Sequence, residues 1–412
     1  MRIPLRLLLP ILLASSCPLS SCSDVQASSR GHRFSQAPTI ANDAHLESSQ
    51  IQLLKLSYQA ASKFPINPHI KNRSRAQELV VRACFELDAP ERALAYINGI
   101  SNWRRGAGYA DYAAHLAKHG DSLRLRTYLD KAIESAETAE DWRKHRIQAK
   151  VARVLLSLGK TERASALSVG LEPAEALALE ATRVLESKAD ELASRLAWVD
   201  GAFEAGDLDQ VQWALTACVR SYGDHYKDEE VRESIYERAL NSLHKAPRVI
   251  GLKTLMDMAE VCLENEDATS ATEILEQVNR MIAESEWLPE DLIPLEARTA
   301  QVTYAAGERD LAMKKLAGLT QLYQAKRSRI VDIFRCEALV PLAEAFWKCN
   351  DPQMAHKLYS MAVDEALVNP NARPRANDLI RIGCSMAVLG VVPGAEWLET
   401  YRQAVEQLDG PW

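Results

Sequence analysis

Apolar residues along most of the chain recur three and four positions apart, and short turns rich in Gly, Asn and Asp separate the runs. That period predicts amphipathic helices joined in pairs. The clearest pair spans Phe334 to Leu367. Leu339, Leu342, Ala343 and Phe346 share one face before the turn Asn350-Asp351-Pro352, and Ala355, Leu358, Tyr359 and Ala362 share one after it. Asp351 suits an N-cap, and Pro352 suits the first helical turn, where its missing N–H has no partner to lose. One pair cannot bury both apolar faces, so it needs similar pairs stacked against it.

Aligning such pairs on their turn residue yields eight candidates: Asp88, Gly120, Gly159, Gly206, Glu266, Gly307, Asn350 and Gly390. Seven positions before each turn stands a small or short residue (Val81, Ala113, Ala152, Val199, Ala259, Ala300, Ala343 and Gly383). Five positions after it stands Ala, Leu or Val, and nine after it mostly a large apolar residue. The register therefore predicts an all-α fold of about eight helical hairpins over residues 50–412.

This small–turn–small–large register resembles the tetratricopeptide repeat family over roughly residues 75–412, most closely at Leu339–Leu367 and Leu295–Leu322. The resemblance implies a right-handed α-α superhelix, a solenoid whose first helices line a concave groove. It also implies that positions six and three before each turn face that groove. These include Arg82 and Phe85, Arg153, Asp200 and Phe203, Glu260, Gln301 and Tyr304, and Glu344 and Trp347. Aromatic anchors beside charges suit capture of a peptide or a partner helix. The same aromatics could instead fill gaps between repeats. The family's Trp and Pro signatures are mostly missing, and the turn-to-turn steps range from 32 to 60 residues.

The long steps have local causes. Pro173 is expected to mark lengthened helices between Gly159 and Gly206. Between Gly206 and Glu266 an extra amphipathic helix is expected, N-capped by Asp224, followed by Pro247 and burying Ile235, Leu240 and Leu243. It either completes a hairpin or divides the solenoid near 222–250. Pro289 and Pro294 are expected to bracket a helix start. Residues 50–70 and the stretch after Gly394 read as the N-terminal and C-terminal caps of the array.

The chain has 412 residues, 25% of them charged, and a formal net charge of -7. An acidic chain without a Lys/Arg-rich run argues against nucleic acid as its partner.

Residues 1–21 begin with Arg2 and Arg6, continue through an apolar run and end in small residues, the order of a secretory signal. The run is too short to span a bilayer. Leu19-Ser20-Ser21-Cys22 resembles the lipobox of bacterial lipoproteins, with Cys17 a poorer second match. The resemblance implies cleavage before Cys22, lipidation of Cys22 and membrane attachment through that lipid. Ser23, rather than Asp, implies outer-membrane more than inner-membrane retention. A plainly cleaved secreted or periplasmic form and a cytosolic form are the alternatives. Residues 22–49, rich in Ser, Ala and Gln, read as a flexible tether.

Catalytic chemistry is sparse. His115 and His119 are four apart, a spacing that could hold a metal, but the Glu of HExxH is absent and no third ligand is obvious. They read as structural, with His119 at the helix C-terminal dipole, and no metal and no cofactor are expected. Gly106-Ala107-Gly108 lacks the Lys-Ser/Thr ending of a phosphate loop. Cys218 and Cys262 form a candidate disulfide of an exported chain. The expected function is a non-enzymatic adaptor at the bacterial envelope that binds a protein or peptide in its groove. The alternatives are a helical envelope enzyme with carboxylates in a central cavity, and a cytosolic regulator.

Overall fold

A computed structural model describes residues 45–187 and 191–412. The expectations for residues 1–21, for Cys22 and for the tether as far as residue 44 lie outside the described residues. The described residues hold helices and no strand. In chain order the helices are α1 (Ser48–Lys63), α2 (Ile70–Glu86), α3 (Pro90–Asn98), α4 (Arg104–His119), α5 (Ser122–Glu137), α6 (Asp141–Ser157) and α7 (Thr161–Ser168). Then come α8 (Pro173–Leu185), α9 (Leu192–Ala205), α10 (Leu208–Asp224), α11 (Glu229–Ser242), α12 (Arg248–Glu264) and α13 (Ala268–Ala283). The last are α14 (Pro289–Ala305), α15 (Arg309–Lys326), α16 (Asp332–Lys348), α17 (Pro352–Val368), α18 (Ala372–Leu389) and α19 (Ala395–Glu406).

All eight aligned turn residues have positive φ, from 55° at Asp88 to 102° at Gly307. This left-handed corner ends a helix, and Gly adopts it without a Cβ penalty while Asn and Asp tolerate it. The helix that follows is often capped by the next acid: Asp121, Asp207, Asp267 and Asp351 each accept a backbone N–H of the first turn. The small residues seven before the turns are buried, where helices cross closely.

Alternate helices form a ladder. α2 packs on α4, α4 on α6, and so on through α8, α10, α12, α14 and α16 to α18, and α18 packs back on α2. The array is therefore a closed two-layer solenoid. The even-numbered helices make the inner layer, because they touch one another in succession while most odd-numbered neighbours are spread apart.

The closure corrects the expectation of two separate caps. α1 packs along α18 as the second helix of the last hairpin, and α19 lies outside, against α1 and α17. That explains why the register fails after Gly390: Ala395 and Glu399 of α19 are exposed, whereas Leu53, Leu54, Ala60 and Ala61 of α1 are fully buried. One buried apolar cluster accordingly joins residues of 53–179 to residues of 293–408, and a second covers 199–302.

The middle of the array corrects the hairpin count. Strict up-down alternation makes α8 and α10 inner helices, so Gly206 links an outer helix to an inner one, opposite in sense to the other seven turns. The inner-to-outer links there are the α8–α9 connection and the one between Asp224 and Glu229. Tyr226, just after α10, donates its hydroxyl to Asp267 at the α12–α13 turn, which places both on the same rim. Among the described residues the array is thus eight consecutive pairs, α2–α3 to α16–α17, closed by α18 with α1.

Smaller corrections follow from capping. Pro173 starts a separate helix instead of lengthening one, and Pro294 lies inside α14. Asp228, not Asp224, caps α11 by accepting the N–H of Val231, and Pro247 sits at the N-cap of α12. Asp224 ends α10, where it receives the buried Arg195 guanidinium at 2.8 Å. No disulfide joins the six cysteines of the described residues; Cys262 meets the Tyr222 hydroxyl at 3.3 Å rather than Cys218.

Candidate functional site

Many charged residues of the inner helices fall on one stripe. Counted back from the turns they occupy positions six, nine and thirteen, one face of a helix. Position nine holds Asp111, Lys150, Asp257, Arg298 and Arg381, and position thirteen holds Arg75, Arg146, Lys253 and Glu337. Closing the ring brings each stripe beside the next.

The stripes pair laterally, one inner helix to its neighbour. Arg104 of α4 meets Glu78 of α2, and Lys150 of α6 meets Asp111 of α4 at 2.6 Å. Arg146 of α6 lies 4.0 Å from Glu175 of α8. Arg298 of α14 bridges Asp257 and Glu260 of α12, and Arg381 of α18 meets Glu337 of α16 at 2.6 Å. Burial shifts the protonation equilibria of several other groups on the inner helices. Burial pushes the Arg153 guanidinium down, against the pull of Glu175 and Asp111. Burial also raises the Glu344 carboxyl, although Ser385 donates to it at 2.6 Å. Glu86 is raised by burial, with Arg82 opposing and Glu344 adding to the shift. The field of Glu344 on α16 thus reaches Glu86 on α2, two inner helices away.

The structure sorts the predicted groove residues. Arg82, Phe85, Arg153, Glu260, Gln301, Tyr304, Glu344 and Trp347 all lie on inner helices. Asp200 and Phe203 do not, because α9 belongs to the outer layer; the inverted sense of the Gly206 turn misplaces them. Phe203 is buried, and Asp200 pairs with Arg238 of α11 at 2.6 Å. Both residues line an open cleft of about 470 Å³ between α9 and α11. Three of the four aromatics pack between repeats: Phe203, Phe85 against His115 and Tyr112, and Trp347, whose indole N–H donates to the Leu389 carbonyl at 3.1 Å. Tyr304 instead carries the Arg309 guanidinium over its ring.

The belt at positions nine and thirteen went unread in the sequence, although the signal was there as charges one helical turn upstream of the chosen position. Chemically, the inner face offers fixed charges of both signs and hydrogen-bonding groups. Its acids meet Arg, Lys or Ser partners more than one another. No helix of the described residues is long and apolar enough to cross a membrane. No protein-family model and no curated protein matches the chain.

Proposed function

We propose that this chain is a binding scaffold rather than an enzyme: a degenerate tetratricopeptide-type array, held at the bacterial envelope through Cys22, that grips a protein segment against its inner face. The observation that carries the reading is the lateral charge belt. Paired charges on rigid neighbouring helices are pre-organised, so a partner of mixed charge meets them with little ordering cost. An enzyme built on carboxylates would need several acids converging in one deep pocket, whereas here Glu78, Asp111, Asp257, Glu260 and Glu337 are each spent on a cation of the next helix.

Two measurements test the reading. The first is intact mass and membrane fractionation of the native protein beside a Cys22→Ala variant. Acylated mass and membrane partitioning that the variant lacks would support the anchor, and retention of residues 1–21 in a soluble protein would overturn it. The second is photo-crosslinking in the native host from a reactive residue placed at Gln301, with Leu311 on the outer helix α15 as control. A discrete polypeptide adduct from Gln301 and none from Leu311 is expected. Adducts from Leu311 alone would move the binding surface outward.

A further inference from the structure

His115 and His119 do have a third partner, and it comes from another hairpin. Asp88 is the turn residue between α2 and α3, 27 positions before His115, so no local motif reveals it. The closed ladder sets α2 beside α4 with their C-terminal ends on one rim, and the left-handed corner at Asp88 turns its carboxylate toward α4. The Nε2 atoms of His115 and His119 each lie 3.5 Å from Asp88 Oδ1. The two imidazoles stack with centroids 4.2 Å apart, and the three ligand atoms all fall within 4.8 Å of one another.

We propose that Asp88, His115 and His119 form a binding site for a divalent transition metal of the zinc class, pinning the first hairpin of the inner layer to the second. The edge of a tetrahedron with metal–ligand bonds of about 2.0–2.1 Å is about 3.3–3.4 Å, close to the two His–Asp separations found here. Two imidazole nitrogens and one carboxylate oxygen are the borderline donors this class of ion prefers. The His pair has the required i, i+4 spacing on one helix face. Phe85 packs on His115 with ring centroids 5.6 Å apart, which fixes the more buried imidazole. The Asp88 and His119 side chains are 67% and 43% exposed, so an ion can enter and a water can complete the coordination. The expectation of no metal rested on no third ligand being obvious in the sequence, and Asp88 supplies a candidate.

The test is calorimetric titration of the metal-free full chain with zinc chloride, repeated with cobalt(II), whose visible spectrum reports four-coordination. One equivalent of zinc and a tetrahedral cobalt band are expected. Asp88→Asn keeps a residue that tolerates the left-handed corner, and His119→Ala removes a half-exposed side chain; each is expected to weaken zinc binding at least tenfold and to abolish the cobalt band. Circular dichroism of both variants guards against a folding artefact. Failure of the wild type to bind an equivalent, or binding that both correctly folded variants retain, would overturn the proposal.

Discussion

Ser57 Oγ and Tyr401 Oη lie 3.3 Å apart, although 344 residues separate them in sequence. Both are buried on the seam where α1 and α19 meet α18, and Tyr401 also donates to the Leu379 carbonyl at 2.7 Å. Nearby, Gln50 donates to the Ala387 carbonyl, Lys63 to the Glu406 carbonyl, and Phe64 packs on Trp412. Each contact ties α1 or the residue after it to α18, α19 or the segment beyond, so the ring is closed by the first and last elements of the described residues.

Gly383 makes that seam possible, and its replacement tests it. A Cβ there would clash with both Ser57 Oγ and the Tyr401 hydroxyl. Gly383→Ala is expected to destabilise the protein by about 1–3 kcal/mol, the usual cost of overpacking, and to expose α1 to limited proteolysis. Gly318, exposed within α15 with nothing near its Cβ position, is the control. Gly318→Ala is expected to be neutral or to raise the melting temperature, since it adds helix propensity without a clash. Equal melting temperatures for wild type and Gly383→Ala would show that the seam is not close-packed.

Arg195 is the second test. It is 2% exposed and donates to Asp224, Ser221 and the Ser187 carbonyl. Arg195→Met keeps most of the apolar stem but strands Asp224 and two polar partners. Breaking a buried pair from one side costs about 3–5 kcal/mol. Arg220, 3.2 Å from the other Asp224 oxygen, offsets part of that. A loss of about 3 kcal/mol in urea denaturation is expected, and well under 1 kcal/mol for Arg220→Ala, whose side chain is 55% exposed. Similar losses for the two variants would contradict the account.

The hairpins were legible in the sequence because their signals are local. A left-handed residue stands at each aligned turn, a small residue marks the helix crossing seven before it, and at four of the turns the following Asp caps the next helix. The closure was not legible. α1 carries the same apolar period whether it caps an open end or fills the slot beside α18, and the pairing of Ser57 with Tyr401 leaves no mark within either segment. The Gly206 error has a related origin: a left-handed Gly before a capped helix reads the same in either direction of the zigzag. The groove candidates on α2, α6, α12, α14 and α16 fall on inner helices because a regular register carries them there, although Phe85 and Trp347 then pack between repeats. The third partner of His115 and His119 was missed because Asp88 is one hairpin away.

Glu365 yields a pH prediction. Burial alone would raise its carboxyl, but hydrogen bonds from Arg327 and Tyr323 and the charges of Arg327 and Arg335 hold it below the usual range. A depressed folded-state value means stability that is present above the unfolded value of about 4.3 and lost as pH falls through the folded one. Glu365→Gln is expected to lower the melting temperature at pH 7, with the difference from wild type closing below about pH 4. A difference that stays constant down to pH 3 would mean that packing, not charge, explains the loss.

Asp378 has the opposite sign. Its carboxyl is 4% exposed on α18, and burial raises it to about 7, with Arg381 opposing and Glu337 adding to the rise. The folded state therefore prefers the protonated acid. Its stabilising contribution is complete below the unfolded value of about 3.9 and is lost as pH rises through about 7. Asp378→Asn keeps a neutral side chain of the same shape at every pH. The variant is expected to be more stable than wild type at pH 8, by an amount on the order of 2 kcal/mol, and to approach it near pH 4. Thermal melts of both proteins from pH 4 to pH 9 measure the difference directly. Because Glu365 loses stability on acidification and Asp378 on alkalinisation, the two variants should diverge from wild type at the same neutral pH in opposite directions. A destabilised Asp378→Asn at pH 8 would mean that the ionised carboxylate is held by its surroundings after all.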